Sequence, residues 1–128
     1  MLINDSKKLR DIQREFNEKF PYLKLEFYRL QHQIGEGTPA RELLDTELTI
    51  GEVRAVHVEG DLSVHPNLKV STLEKNFAEL YGLNAQVFRR SGNLWLQTTA
   101  TDEWTLFDQN RKGGRSERQY NEKRLSSE

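Results

Sequence analysis

Histidine, carboxylate, serine and glycine carry most chemistry at neutral pH, and this chain spaces them in ways that assign none of it. His57-Val58-Glu59-Gly60-Asp61, followed by His65, brings two imidazoles and two carboxylates close together in sequence, donor types that suit zinc or a harder cation. The spacing is neither a helical pair of histidines four apart nor an HExxH run. His57 and His65 are therefore metal candidates by residue type only, and no metal site is expected. Ser63, Ser71 and Ser91 lack the GxSxG turn that exposes a nucleophilic hydroxyl. Gly35-Glu36-Gly37 is neither GxGxxG nor a GK[ST] loop, and its glutamate would repel a phosphate. Pairs such as Glu15 with Glu18 or Asp102 with Glu103 arise in any chain with 20 acidic residues. The absence of cysteine removes disulfides, thiolate ligands and a thiol nucleophile. The expectation is a chain that is not an enzyme and has no cofactor.

A contact surface is what the residue types do support. Ala85 to Arg90 and Asn93 to Thr99 read as two strands joined through Ser91-Gly92. Alternation assigns Val87, Leu94 and Leu96 to one face and Gln86, Phe88, Arg90, Asn93, Trp95 and Gln97 to the other. Between Tyr22 and Leu30, Leu23, Leu25 and Phe27 alternate in the same way, predicting a strand with one buried face. If the aliphatic faces all meet helices, the opposite side gathers Tyr22, Tyr28, Phe88 and Trp95 among Lys24, Arg90 and Gln97. Aromatic rings beside arginine and amides make protein-contact or base-stacking surfaces, so Tyr28, Phe88, Arg90, Trp95 and Gln97 are the expected binding surface. The competing arrangement folds Trp104-Thr105-Leu106-Phe107 back over Phe88 and Trp95 and turns the patch into a second small core.

The elements that must position this sheet are legible in the hydrophobic spacing. Leu9, Ile12, Phe16 and Phe20 form one helical stripe behind a start at Asp5 or Ser6, and Pro21 ends it. Residues 31 to 46 carry Gly35-Glu36-Gly37-Thr38-Pro39 and read as a long loop. Thr49-Ile50-Gly51-Glu52 has capping-box spacing and predicts a short helix from about Ile50 to Val56; recurring β-branched residues allow an extended Val53 to Val58 instead. Ser71-Thr72-Leu73-Glu74 is a second such box, opening a helix with Leu73, Phe77, Leu80 and Tyr81 on its apolar face and Gly82 as its stop. Thr101-Asp102-Glu103 can cap a last helical turn carrying Trp104, Leu106 and Phe107. The fold class expected is α+β: helix-strand, a short helix, then helix-β-hairpin, with the helices on one face of a three- or four-stranded sheet.

Composition bounds the size of the structure. With 35% hydrophobic and 30% charged residues the chain supports one modest core and no membrane span. The start, Met1-Leu2-Ile3 running into Asn4-Asp5-Ser6-Lys7-Lys8, is not a secretory signal, so a cytoplasmic location is expected. Residues 111 to 128 hold six Lys/Arg against three acids, leaving residues 1 to 110 acidic. That tail has Gly113-Gly114 and few apolar side chains. It reads as a basic, disordered extension of a single domain spanning 1–110.

At an offset of 61, Ile12 aligns with Leu73, Phe16 with Phe77, Phe20 with Tyr81 and Phe27 with Phe88, although Leu25 meets Gln86 unless one residue is gapped. Convergence on a helix-then-strand unit explains this as well as duplication does. The run Gln86-Val87-Phe88-Arg89-Arg90-Ser91-Gly92-Asn93-Leu94-Trp95, with Thr101-Asp102-Glu103-Trp104-Thr105-Leu106, resembles a group of small uncharacterised bacterial proteins. Phe20-Pro21-Tyr22-Leu23-Lys24-Leu25-Glu26-Phe27 shares the likeness more loosely. The resemblance implies a bacterial cytoplasmic setting and no activity. The function expected is a non-catalytic module contacting protein, another chain or its own copy, through the aromatic and arginine face. Nucleic acid is not favoured at a net charge of −1, and an enzyme with an unidentified site ranks below it.

Overall fold

The computed structural model describes residues 1–29 and 40–126. In order the elements are β1 (Leu2–Ile3), α1 (Leu9–Lys19), β2 (Leu23–Tyr28), α2 (Ile50–Val53), β3 (Gly60–Asp61), α3 (Val70–Tyr81), β4 (Asn84–Ser91), β5 (Leu94–Gln97) and α4 (Leu106–Ser126). The main sheet is antiparallel in the order β2-β4-β5, and β1 with β3 makes a separate two-stranded ladder. This is the α+β architecture expected, with the small β1-β3 ladder added.

The core lies between the sheet and its helices. Leu9, Ile12 and Phe16 of α1 and Leu73 and Phe77 of α3 are fully buried against Leu23, Leu25, Phe27 and Val87. Such side chains each contribute roughly 1.5–3 kcal/mol on burial. Leu80, expected on this stripe, is 53% exposed: the apolar arc of α3 needs only Leu73, Phe77 and Tyr81 to reach the sheet. Gly82 ends α3 at φ +66°, the left-handed conformation a side chain resists.

Helix starts are where the sequence reading needs most correction. Thr49 and Glu52 do form the predicted capping box, but α2 ends at Val53. The Ser71 box does not form. Lys69 holds the cap position of α3, Ser71 Oγ donates to Glu103, and the Glu74 carboxylate accepts from the Val87 amide instead. Likewise α1 begins at Leu9 behind Lys8, not at Asp5 or Ser6.

The first amides of these helices are satisfied by pairing one helix start with another. Leu9 and Arg10 donate to the carbonyls of Leu48 and Thr46, while Ile50 and Gly51 donate to those of Lys7 and Asp5. In the second half Val70 and Ser71 donate to Trp104 and Asp102, while Leu106 and Phe107 donate to Leu68 and Pro66. Lys8 bonds Glu47 in one half as Lys69 bonds Glu103 in the other. Between β2 and β4, Leu25 faces Val87, and the flanking pairs Leu23 with Arg89 and Phe27 with Ala85 exchange under a half-turn. The two halves are thus related by a pseudo-two-fold axis through the Leu25 and Val87 pair. α1 and α3 obey the offset of 61, the strands need the single gap, and the starts of α2 and α4 correspond at an offset of 56.

α4 overturns the disordered tail expected from residue 111 onward. The helix runs unbroken to Ser126, and its two glycines are the reason it can dock. Both are buried, and a Cβ on Gly113 would sit 3.0 Å from Tyr22 Cβ and 3.1 Å from the Tyr22 carbonyl oxygen. Asn110 accepts from the Tyr22 amide and Gln109 from Arg89, so the helix is held to both β2 and β4. The apolar poverty of the tail is offset by this close, hydrogen-bonded approach, which counting hydrophobic residues does not register. Of the 31–46 loop, residues 31–39 lie outside the described residues; Ala40–Glu42 form a 3-10 turn, and Leu43 bridges to Tyr28 at the outer edge of β2.

Candidate functional site

The side of the sheet turned from the helices depends on where Trp104 to Phe107 go. Leu106 is fully buried in the main core, and α4 meets the sheet through Arg89, which shares its face with Leu23 and Val87. The segment therefore packs on the helix side and does not roof Trp95. Trp104 ends 40% exposed with the Arg89 guanidinium 5.7 Å from its ring centre.

Three of the five expected surface residues come together on the other side. Lys24 Nζ lies 5.2 Å from the ring centres of both Phe88 and Trp95, and the Arg90 guanidinium carbon lies 5.1 Å from the Trp95 ring. Register explains the cluster: Lys24 faces Phe88 across β2 and β4, and Arg90 faces Trp95 across the hairpin. Both rings are half-buried, as are both cations. Each cation also has a carboxylate nearby, Glu26 at 3.4 Å from Lys24 and Glu117 at 3.5 Å from Arg90. The patch is thus aromatic and polar with little net charge. Lys24 lies on the face that strand alternation assigns to it, whereas Glu26 and Glu117 were not expected in the patch, and Glu117 arrives only with α4.

Tyr28 and Gln97 behave differently from the expectation. Tyr28 is only 2% exposed, so it is not a contact residue. Its phenol hydrogen-bonds Gln97, and burial, with the charge of Glu26, pushes its pKa up to about 12. Gln86 of β4 has no exposure, donates to the Val87 carbonyl and leaves its Oε1 without a partner among the described residues. Tyr22, expected on this face, lies instead against Gly113 and Gly114 of α4.

The histidine region is tied to the N-terminal segment by ion pairs. Asp5 accepts from Arg54 Nε and Nη2 at 3.0 and 2.8 Å and pairs with His57 Nδ1 at 2.7 Å. Those partners, Arg54 first, hold the Asp5 carboxyl below its ordinary pKa. Arg54 in turn donates to the Tyr81 carbonyl and so closes the end of α3. His65 sits in a separate turn, its carbonyl accepting from Leu68. Among the described residues no group of three or more His, Asp or Glu side chains could hold a metal ion.

A groove of about 590 Å³ lies between α3, the start of β4 and the Asp102-Glu103 turn, bordered by Ser71, Glu74, Ala78 and Ala85. Its counterpart in the first half is occupied by larger side chains. Arg10 stands at the position of Ser71 and bonds Glu47, and Asn17 stands at that of Ala78 and donates to the Leu23 carbonyl. Among the described residues no helix is long and apolar enough to cross a membrane. Comparisons with protein-family models, with curated proteins and with solved structures find nothing that matches this chain, so its architecture and surfaces stand alone as grounds for its function.

Proposed function

We propose that the chain is a non-catalytic interaction module that binds protein through the sheet face built by Lys24, Phe88, Arg90 and Trp95. The observation that carries this reading is the cation-aromatic layer itself: two half-buried rings held between two cations, which α4 meets at the rim through the Glu117 carboxylate. Aromatic and arginine side chains dominate the energetics of protein interfaces because they remove much area from water at little entropic cost. The near-neutral balance of Lys24 with Glu26 and Arg90 with Glu117 favours protein over nucleic acid, whose phosphates need a cationic excess. A bacterial cytoplasmic setting belongs to the same proposal and rests on the sequence resemblance alone.

The test compares partners retained from a native extract by the intact chain and by a Trp95→Ala, Arg90→Ala variant, followed by direct titration of any purified partner. A protein bound by the intact chain and weakened at least about tenfold by the variant supports the face; equal binding by both removes it. Retention of oligonucleotides that fades steeply with salt and with Arg90→Ala would replace protein by nucleic acid as the ligand.

A further inference from the structure

We propose that β5 is a self-association edge, through which two copies of this chain pair antiparallel about Trp95 to form one continuous six-stranded sheet. β5 ends the β2-β4-β5 order, and among the described residues no strand pairs with its outer side. Val87, an odd-numbered residue of β4, accepts from Thr98 on the β5 side, whereas Arg90 donates to Tyr22 on the β2 side. The alternation of an antiparallel ladder then turns the amides and carbonyls of Leu94 and Leu96 toward β4, and those of Trp95 outward from the sheet. A two-fold axis at Trp95 would let the two Trp95 residues exchange both backbone hydrogen bonds. Leu94 of each copy would then stand opposite Leu96 of the other.

The side chains agree with that register. Leu94 and Leu96 are 67% and 49% exposed on the same face, apolar area that pairing at this edge would remove from water. Natural sheets protect free edges with charge, proline or irregularity. The opposite edge of this sheet has that protection, since the segment bridging β2 at Leu43 is flanked by Arg41, Glu42 and Asp45. Ser91 to Thr101 has no charged residue and no proline, in a chain where 30% of residues are charged. The two edges occupy corresponding places about the internal axis, so the contrast is specific to β5. An uncharged strand is self-complementary under a two-fold, and antiparallel pairing about such an axis is how the halves of this chain already meet at Leu25 and Val87. A second copy is therefore the occupant that this edge fits.

Sedimentation of the full chain from micromolar to about millimolar concentration reads the proposal directly. The expected mass rises from 15.0 kDa toward twice that value. A Leu94→Lys, Leu96→Lys variant should remain monomeric at concentrations where the unaltered chain is mostly dimer, and at dilutions where both are monomeric its circular dichroism and melting should match those of the unaltered chain because both positions are exposed. Leu125→Lys, at the exposed end of α4, should dimerise like the unaltered chain. A chain that stays monomeric throughout, or a dimer weakened less than about tenfold by the two lysines, overturns it. The lysines leave Phe88 and Arg90 in place, so loss of self-association and loss of a partner bound at the aromatic face are scored separately.

Discussion

Gly113→Ala offers the sharpest test of how α4 is held, because docking reverses the sign of its effect. In a free or loosely attached helix, replacing glycine by alanine removes backbone entropy from the unfolded chain and stabilises by roughly 0.8–1 kcal/mol. In this fold the new methyl would lie 3.0 Å from Tyr22 Cβ, 3.1 Å from Arg89 Cγ and 3.1 Å from the Tyr22 carbonyl oxygen. The arginine methylene can yield, but the other two atoms are fixed by β2, whose residues Leu23 and Leu25 are fully buried. Overpacking of one methyl costs about 1–3 kcal/mol, and subtracting the helix gain leaves a net loss of roughly 1 kcal/mol, or about 4 °C in melting temperature for a chain of this size. Urea and thermal unfolding followed by circular dichroism measure it, with Asn121→Ala on the exposed far end of the same helix as a control expected within about 0.5 kcal/mol of zero. A gain in stability for Gly113→Ala, equal to or above that of the control, would refute the close approach of α4 to Tyr22.

Two further outcomes follow from the titrating groups. Asp5 is held below its ordinary pKa by Arg54 and then His57, so its contribution to stability is complete above the unfolded-state value and is lost as pH falls from roughly 4 through the lower folded-state value. Asp5→Asn should flatten the acid limb of the stability profile over that window, and an unchanged limb would mean that the Asp5 and Arg54 pair does not form in solution. Tyr28 has its pKa raised to about 12, so its neutral form favours the folded state below pH 10 and that advantage disappears as pH rises from about 10 to 12. Ultraviolet titration of the folded chain should show one of the four tyrosines ionising near pH 12, absent in Tyr28→Phe. Losing the bond to Gln97 should also cost that variant about 1 kcal/mol in urea unfolding; four tyrosines titrating together near pH 10 would contradict the buried placement.

Periodicity in the sequence determined a good deal. The stripe Leu9, Ile12 and Phe16, the alternation Leu23, Leu25 and Phe27, the Thr49 capping box, the glycine stop at Gly82 and the hairpin faces are local patterns, each set by a repeat of 3.6 or 2 or by one residue's backbone preference. They sufficed for the α+β class and for grouping Phe88, Arg90 and Trp95 on one side. Tertiary structure alone decided where those patterns lead. The Ser71 box is displaced because α3 starts at Val70, behind Lys69, and the Asp102 carbonyl takes the Ser71 amide from a distant turn. Tyr28 leaves the surface because the folded chain encloses its ring, which alternation along β2 does not register. The Gly113-Gly114 pair, a break by local preference, is a contact point because β2 comes close enough to need the absence of a side chain. In each case the deciding partner lies far along the chain, and local propensities of about 1 kcal/mol yield to hydrogen bonds and close packing that exist only once the halves have met.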